Sequence, residues 1–174
     1  MKNLNKINLG CGDDYKEGYV NVDIDDKNIY GVPTKVDTIH DLNVYPYPFP
    51  NSNFKEIFSK GLLGHIKDLD RHMKELKRIS ADGCIVIIQV PYFLSYYSAS
   101  ELAYHRFSLR SKELFWIIKR NGFELKKTRF IISYNGFLRF LNYLANINDF
   151  TQNVVERFPM IIPNAVQWEF IKEK

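Results

Sequence analysis

Cysteine, long apolar runs and internal repeats are scarce in this sequence of 174 residues, and each shortage excludes a class of protein. Cys11 and Cys84 are too few for a disulfide framework or a cysteine-rich zinc site, so two reduced thiols and no metal centre are expected. The longest apolar stretch, residues 84–94, is interrupted by Gln89 and Pro91, and it is too short to span a bilayer. We therefore expect no transmembrane segment.

Composition and length indicate an ordinary globular protein. Hydrophobic residues make up 45% of the chain and charged residues 25%, which suits a single domain over residues 1–174. Residues 1–9 contain lysine and asparagine where a signal peptide would be apolar, so a cytoplasmic location is expected.

The net charge of +4 is unevenly distributed along the chain. Residues 13–41 contain eight acidic residues and three lysines, whereas residues 105–139 contain nine basic residues and two glutamates. Such a basic segment either attracts an anionic substrate or forms the solvated faces of helices and strands.

Strand and helix patterns alternate along the chain, which predicts an α/β fold with a mostly parallel sheet. Helices are predicted over residues 67–79, 111–121 and 136–147. Asp82–Gly83 is predicted to be the signal that ends the first of them. Residues 136–164 would form a helical insertion or cap between the last two strands, which pair antiparallel. Strands are predicted over residues 6–9, 19–24, 36–40, 56–59, 84–90, 124–132 and 165–173.

Ligands of open α/β sheets lie beyond the carboxyl ends of the strands, so the residues that follow each strand are candidates. Gly10-Cys11-Gly12 follows the first strand, but Tyr15 replaces the third glycine of a dinucleotide motif. Asp23 follows the second strand, where a carboxylate either accepts bonds from a ribose diol or forms a turn. Asp41-Leu42 follows the third strand and either borders an adenine or forms a turn.

Candidate catalytic groups follow the fourth and fifth strands. His65 lies in a loop with two glycines and acts as a base or has a structural role. Tyr92 and His105 would belong to an aromatic and basic substrate pocket, or to a packed surface loop.

Several segments in the same order resemble the class I S-adenosylmethionine-dependent methyltransferases, and most closely a small type-11-like subfamily with a short first helix. They read NLGCG, GYVNVD, DLN and YPYPFP, and they begin at residues 8, 18, 41 and 45. The resemblance continues through residues 54–66 and 78–93. Gly64 departs from the usual glutamate before His65, and residues 81–84 replace the usual Pro-Gly-Gly turn.

The resemblance implies a Rossmann-like seven-stranded sheet, mostly parallel with an antiparallel last strand and with helices on both faces. It also implies S-adenosylmethionine as the cofactor. The glycine turn would contact its methionine part, Asp23 its ribose, and Asp41 with Leu42 its adenine. The implied cofactor-binding residues are Asn8, Gly10, Cys11, Gly12, Asp23, Ile24, Asp41, Leu42, Ser59, Lys60 and Gly61.

These observations predict methyl transfer to a small-molecule or saccharide acceptor, with His65 or His105 as base and Tyr92 as an orienting hydroxyl. A degenerate binding module is one alternative, because Gly64 removes a carboxylate. A nucleic-acid methyltransferase is another, although the net charge of +4 argues against strong nonspecific affinity. The apolar helix over 136–147 would pack on the sheet, or alternatively cap the substrate side, form a dimer contact or rest on a membrane surface.

Overall fold

The structure is a computed structural model that describes residues 5–28, 30–91, 111–131 and 165–173. Its helices are a 3-10 helix at Leu62–His65, α1 at Leu69–Ile79 and α2 at Ser111–Arg120. Its strands are β1 (Lys6–Leu9), β2 (Val20–Asp23), β3 (Thr38–Ile39), β4 (Phe54–Lys60), β5 (Ser80–Pro91), β6 (Phe123–Ile131) and β7 (Ala165–Lys172).

The seven strands form one sheet in the order β3-β2-β1-β4-β5-β7-β6. Strands β1 to β5 pair parallel, and β7 pairs antiparallel with both β5 and β6. The predicted fold class and the predicted antiparallel pairing of the last two strands are confirmed.

One face of the sheet carries the apolar core and the two helices; we call it the helix face. The register places Ile7 beside Ile57 and Ile57 beside Val86, and each of these side chains is fully buried. Alternation along a strand sends every second side chain to the same face, so these apolar positions form one continuous surface. Helix α1 covers this surface with Met73, Leu76 and other apolar side chains that recur every three or four residues.

Helix α1 ends at Ile79 as predicted, but it begins at Leu69, two residues after the predicted start, and its predicted stop signal lies elsewhere. Asp68 caps the helix by accepting a hydrogen bond from the backbone N–H of Arg71. The helix ends at Ile79 and β5 begins at the next residue, so the prediction that Asp82–Gly83 ends the helix is wrong. The register between β4 and β5 shifts here, and Asp82–Gly83 makes its turn inside the strand instead.

The opposite face of the sheet carries polar side chains at β1 and β2. Asn8 and Asn21 are neighbours in the register, and both are buried. The connection between these strands crosses this face without a helix, and the Lys16 ammonium lies 4.2 Å from the centre of the Phe58 ring. Within the described ranges, helices cover only the helix face, so helices on the opposite face stay a prediction.

Several predictions fall outside the described residues. They concern the helix over 136–147, the insertion over 136–164, and the candidate catalytic residues Tyr92 and His105. In the described part of the chain, no helix has both the length and the apolar character needed to cross a membrane.

Candidate functional site

A cavity of about 570 Å³ lies beyond the carboxyl ends of β1, β2, β3 and β4. Its volume is within the usual range for sites that hold a small molecule or a cofactor. Four chain segments, each following one of these strands, supply its walls. The lining residues are Gly10, Gly12, Asp13, Asp23, Ile24, Lys27, Asn28, His40, Asp41, Leu42, Asn43, Lys60, Gly61, Leu62, His65 and Ile66.

The Gly10-Cys11-Gly12 turn is bonded to the end of β2. The backbone N–H groups of Gly10 and Cys11 donate to the carbonyl of Val22 at 2.9 and 3.0 Å. The backbone N–H of Gly12 donates to Oδ2 of Asp23 at 2.6 Å. All three N–H groups are therefore engaged inside the protein, and the turn does not present them as a cradle for a phosphate group.

Glycine is required at position 10 for two reasons. Its φ angle of +67° lies in the left-handed region, which other residues rarely adopt. A Cβ atom there would also lie 3.0 Å from Cδ1 of Leu62, a side chain of the neighbouring wall that follows β4. The missing side chain thus allows the two walls to approach each other.

Asp23 lies between the glycine turn and the cavity. Besides the bond from Gly12, its Oδ1 accepts a hydrogen bond from the backbone N–H of Ile24 at 2.7 Å. An ionised carboxylate offers about four acceptor positions, so these two bonds leave capacity for two further donors. Two adjacent hydroxyl groups, such as a ribose diol, match that capacity.

The wall formed by residues 41–43 is braced by Asn43. Oδ1 of Asp41 accepts from the backbone N–H of Asn43 at 2.9 Å, so Asp41 forms the turn typical of its residue type. Asn43 also receives a bond from the backbone N–H of Lys67 at 2.8 Å and donates to the carbonyl of His65 at 3.3 Å. These bonds tie the β3 wall to the wall that carries His65.

Burial changes the chemistry of Cys11. The residue is 3% exposed, and burial together with the nearby Asp23 carboxylate raises the pKa of its thiol to about 11. Cys11 therefore stays a neutral thiol at physiological pH. Cys84 is buried as well, and burial raises the pKa of its thiol too. Both cysteines are free and buried, as the sequence predicted.

The cavity brings together nine of the predicted site residues, including the candidate base His65. Asn8, Cys11 and Ser59 are not among the lining residues. The Asn8 amide donates to the carbonyl of Asp14 at 2.8 Å, and Ser59 is 1% exposed on the helix face. The eight predicted cofactor-binding residues in the cavity wall are Gly10, Gly12, Asp23, Ile24, Asp41, Leu42, Lys60 and Gly61.

Sequence reasoning missed several lining residues that do not directly follow a strand. Asn28 reaches the cavity because its Oδ1 accepts from the backbone N–H groups of Tyr30 and Val32, both at 3.0 Å, which folds the loop back. An asparagine near a glycine was the available signal for such a turn. Asn43 stood beside the predicted Asp41 and Leu42, and its bracing bonds depend on residues more than twenty positions away.

No family model matches this chain, and no curated protein matches its sequence. A solved S-adenosylmethionine-dependent methyltransferase from Archaeoglobus fulgidus matches with a TM-score of 0.67 and 17% sequence identity. The match covers 96% of this chain and 85% of that chain. One from Mesorhizobium loti has a TM-score of 0.64 and 12% identity, over 98% and 91%. The cyclase SpnF has a TM-score of 0.60 and 12% identity, over 97% and 78%.

The chain therefore has the fold of the class I S-adenosylmethionine-dependent methyltransferases. The resemblance stated from the sequence is confirmed at the level of the fold. The cavity lies at the edge of the sheet where this class of fold binds ligands, beyond the carboxyl ends of the parallel strands.

Proposed function

We propose that this protein is a methyltransferase that binds S-adenosylmethionine in the cavity and transfers its methyl group to a small-molecule or saccharide acceptor. The observation that carries the proposal is the placement of Asp23. Its carboxylate lines a cavity of about 570 Å³ and has capacity for two donors beside the glycine turn. The fold of the solved neighbours supports the same cofactor.

The cavity's other groups fit an adenosine and an amino acid better than a dinucleotide. The N–H groups of residues 10–12 are bonded to β2, which disfavours a pyrophosphate. Ile24 is 62% exposed at the cavity and offers an apolar surface to a flat ring. Lys60 also lines the cavity, and in this structure its ammonium pairs with Oδ2 of Asp14 at 3.6 Å.

S-adenosylmethionine, when bound, supplies a methyl group that is already electrophilic. The protein's contribution is therefore to bind and orient the reactants, and to accept a proton where the acceptor atom carries one. His65 is the described residue that we assign to the proton-accepting role, because it lines the cavity and its backbone is fixed by Asn43. Tyr92 and His105 retain their proposed roles from the sequence.

Binding is tested by calorimetric titration with S-adenosylhomocysteine, with NAD as the negative control. We expect micromolar binding of the first and none of NAD. Asp23→Ala should weaken binding by about tenfold or more, because a charged hydrogen-bond acceptor is lost. Asp25→Ala is the matched control, because this aspartate lies two residues away and does not line the cavity. Absence of binding in a folded wild-type protein would refute the proposal.

The role of His65 is tested once an acceptor has been found among sugars, nucleotide-sugars and small acids. His65→Ala should lower turnover by about a hundredfold or more if the imidazole accepts the proton. Affinity for S-adenosylhomocysteine should change much less, because a proton acceptor acts on the acceptor substrate. Unchanged turnover would remove His65 from this role.

A binding module without methyl transfer is the second candidate. The same fold occurs in SpnF, which is named as a cyclase, so the fold by itself does not fix the reaction. Gly64 lies in the 3-10 helix beside His65 and offers no side chain to the cavity. Tight binding of S-adenosylhomocysteine without turnover on any acceptor would favour this candidate.

A further inference from the structure

A buried tyrosine and a buried histidine lie behind the cavity wall that contains Leu42. Oη of Tyr47 is 2.9 Å from the carbonyl oxygen of Leu42 and 2.6 Å from Nδ1 of His72. Tyr47 is 2% exposed and His72 is fully buried. The three groups form a line from helix α1 to the backbone of the cavity wall.

The direction of these hydrogen bonds follows from counting protons. A phenol has one proton, and a carbonyl oxygen can only accept, so Tyr47 donates to Leu42. The phenol oxygen must then accept its second bond from Nδ1–H of His72. This arrangement places a proton on Nδ1, and burial, which lowers the pKa of His72 to about 4, keeps the ring neutral at physiological pH. Its Nε2 has no hydrogen-bond partner among the described residues.

The backbone of Tyr47 is also fixed to helix α1. Its N–H donates to Oε2 of Glu75 at 2.8 Å, and its carbonyl accepts from Nη2 of Arg78 at 2.9 Å. Glu75 and Arg78 form an ion pair one turn after His72 on the same helix. The ring of Tyr47 therefore has a fixed position from which its hydroxyl holds the wall.

We propose that Tyr47 and His72 are positioning residues that hold the wall at residues 41–43 in the form that binds the purine of an adenine nucleoside. This inference rests on the proposed function. The bond from Tyr47 holds Leu42 from the core side, while Asn43 ties the same wall to the segment after β4. Loss of the buried bond leaves the Leu42 carbonyl without its donor, so the wall shifts and the nucleoside contacts weaken.

Two variants separate positioning from simple packing. Tyr47→Phe keeps the aromatic ring and removes only the hydroxyl. His72→Leu keeps a side chain of comparable bulk and removes the Nδ1–H that donates to Tyr47. It also removes the buried Nε2 atom that has no partner among the described residues. His72→Asn is the rescue variant, because its amide nitrogen can donate from a position close to that of Nδ1.

Tyr45→Phe is the matched control. Its ring stacks on that of Tyr47 at 5.4 Å between centroids, and its hydroxyl contacts the carbonyl of Asp68 at 3.3 Å instead of the cavity wall. Both tyrosine variants therefore lose one hydroxyl from the same aromatic pair, but only one of them loses a bond to the cavity.

The experiment titrates each folded variant with S-adenosylhomocysteine and with adenosine, alongside a thermal melt. For Tyr47→Phe we expect about tenfold weaker binding of both ligands, because the loss is confined to the nucleoside end. His72→Leu should weaken both by about threefold or more without lowering the melting temperature. His72→Asn should restore affinity to within about twofold of wild type, and Tyr45→Phe should leave it unchanged.

The outcomes distinguish this inference from the function on which it rests. Wild-type protein that binds neither ligand would refute the proposed function together with this inference. Wild-type binding with equal affinities in Tyr47→Phe and His72→Leu would leave the proposed function intact and overturn the positioning role. If a variant loses affinity only as much as its fraction of folded protein falls, Tyr47 and His72 contribute to stability alone, and the positioning role is likewise overturned.

Discussion

The two faces of the sheet are stabilised by different interactions around the same strands. On the helix face, Ile7 and Ile57 are covered by apolar side chains of α1. On the opposite face at β1 and β2, the Asn21 amide bonds to Asn8 at 3.0 Å, to the backbone of Lys16 at 2.8 and 2.9 Å, and to Asp37 at 2.9 Å. A connection too short for a helix thus stabilises this face through side-chain amides that satisfy the loop's backbone groups.

The two faces of the sheet also support different parts of the cavity. The polar network orders the loop after the glycine turn, and Asp13 of this loop lines the cavity. The apolar face supports α1, which carries His72 and thereby fixes the wall at Leu42. Each side of the cavity therefore depends on a different face of the sheet.

The largest effect is expected from the truncation of a buried apolar side chain on the helix face. Ile57→Ala should lower the free energy of unfolding by about 4 kcal/mol, because a fully buried side chain is truncated in the centre of the sheet. Chemical denaturation followed by circular dichroism measures this change. A loss below about 1 kcal/mol would contradict the account of this face.

Removal of the Asn21 amide tests the opposite face. Asn21→Ala should lower the free energy of unfolding by about 3 kcal/mol, because several buried hydrogen bonds are lost together. Hydrogen exchange should show faster exchange at the backbone N–H of Lys16, which loses its acceptor. An equally stable variant with unchanged exchange would show that the amide network does not hold this loop.

Acidification should destabilise the helix face through His72. Burial lowers the pKa of this histidine from 6.5 to about 4, against the smaller opposing influence of Glu75. Between pH 6.5 and 5 the unfolded chain binds a proton that the folded protein excludes, so stability falls as the pH falls, by about 1.5 kcal/mol.

The control for this pH dependence is His72→Gln, in which the ionisable group is absent. The difference in unfolding free energy between wild type and this variant should change over the same pH interval. Two curves that stay parallel from pH 6.5 to 5 would contradict the assignment of a buried neutral histidine.

The smallest effect is expected at the end of the sheet remote from the cavity. Tyr19 donates to Glu56, whose other oxygen accepts from Lys6 at 2.9 Å, and burial with this carboxylate raises the pKa of Tyr19 to about 12. Tyr19→Phe should cost about 1 kcal/mol of stability and leave the affinity for S-adenosylhomocysteine unchanged. Weaker ligand binding in this variant would show that the two ends of the sheet are coupled.

The sequence predicted the elements whose patterns are local. β-Branched residues marked β2, and recurring apolar residues marked α1 from Leu69 to Ile79. The turn inside β5 was mistaken for a helix end because Asp-Gly favours a turn in either setting. The rule that ligands lie beyond the carboxyl ends of the strands predicted Asp23, Asp41 and His65, which all line the cavity. The rule requires only the positions of the strands along the chain.

Contacts that the register alone creates could not be predicted from sequence patterns. Asn8 and Asn21 are thirteen residues apart and meet because β1 and β2 pair in one particular register. Tyr47 and His72 are twenty-five residues apart and meet through the packing of α1. In both cases the residues next to each polar side chain in the sequence do not indicate which distant side chain it will contact.

A crystal structure of the protein with S-adenosylhomocysteine would show directly whether this cavity holds the cofactor. We expect the ligand in the cavity, with its ribose hydroxyls donating to Asp23 and its purine against the wall at residues 41–43. Ligand bound at another place, or ribose hydroxyls without contact to Asp23, would contradict the assignment of this cavity as the cofactor site.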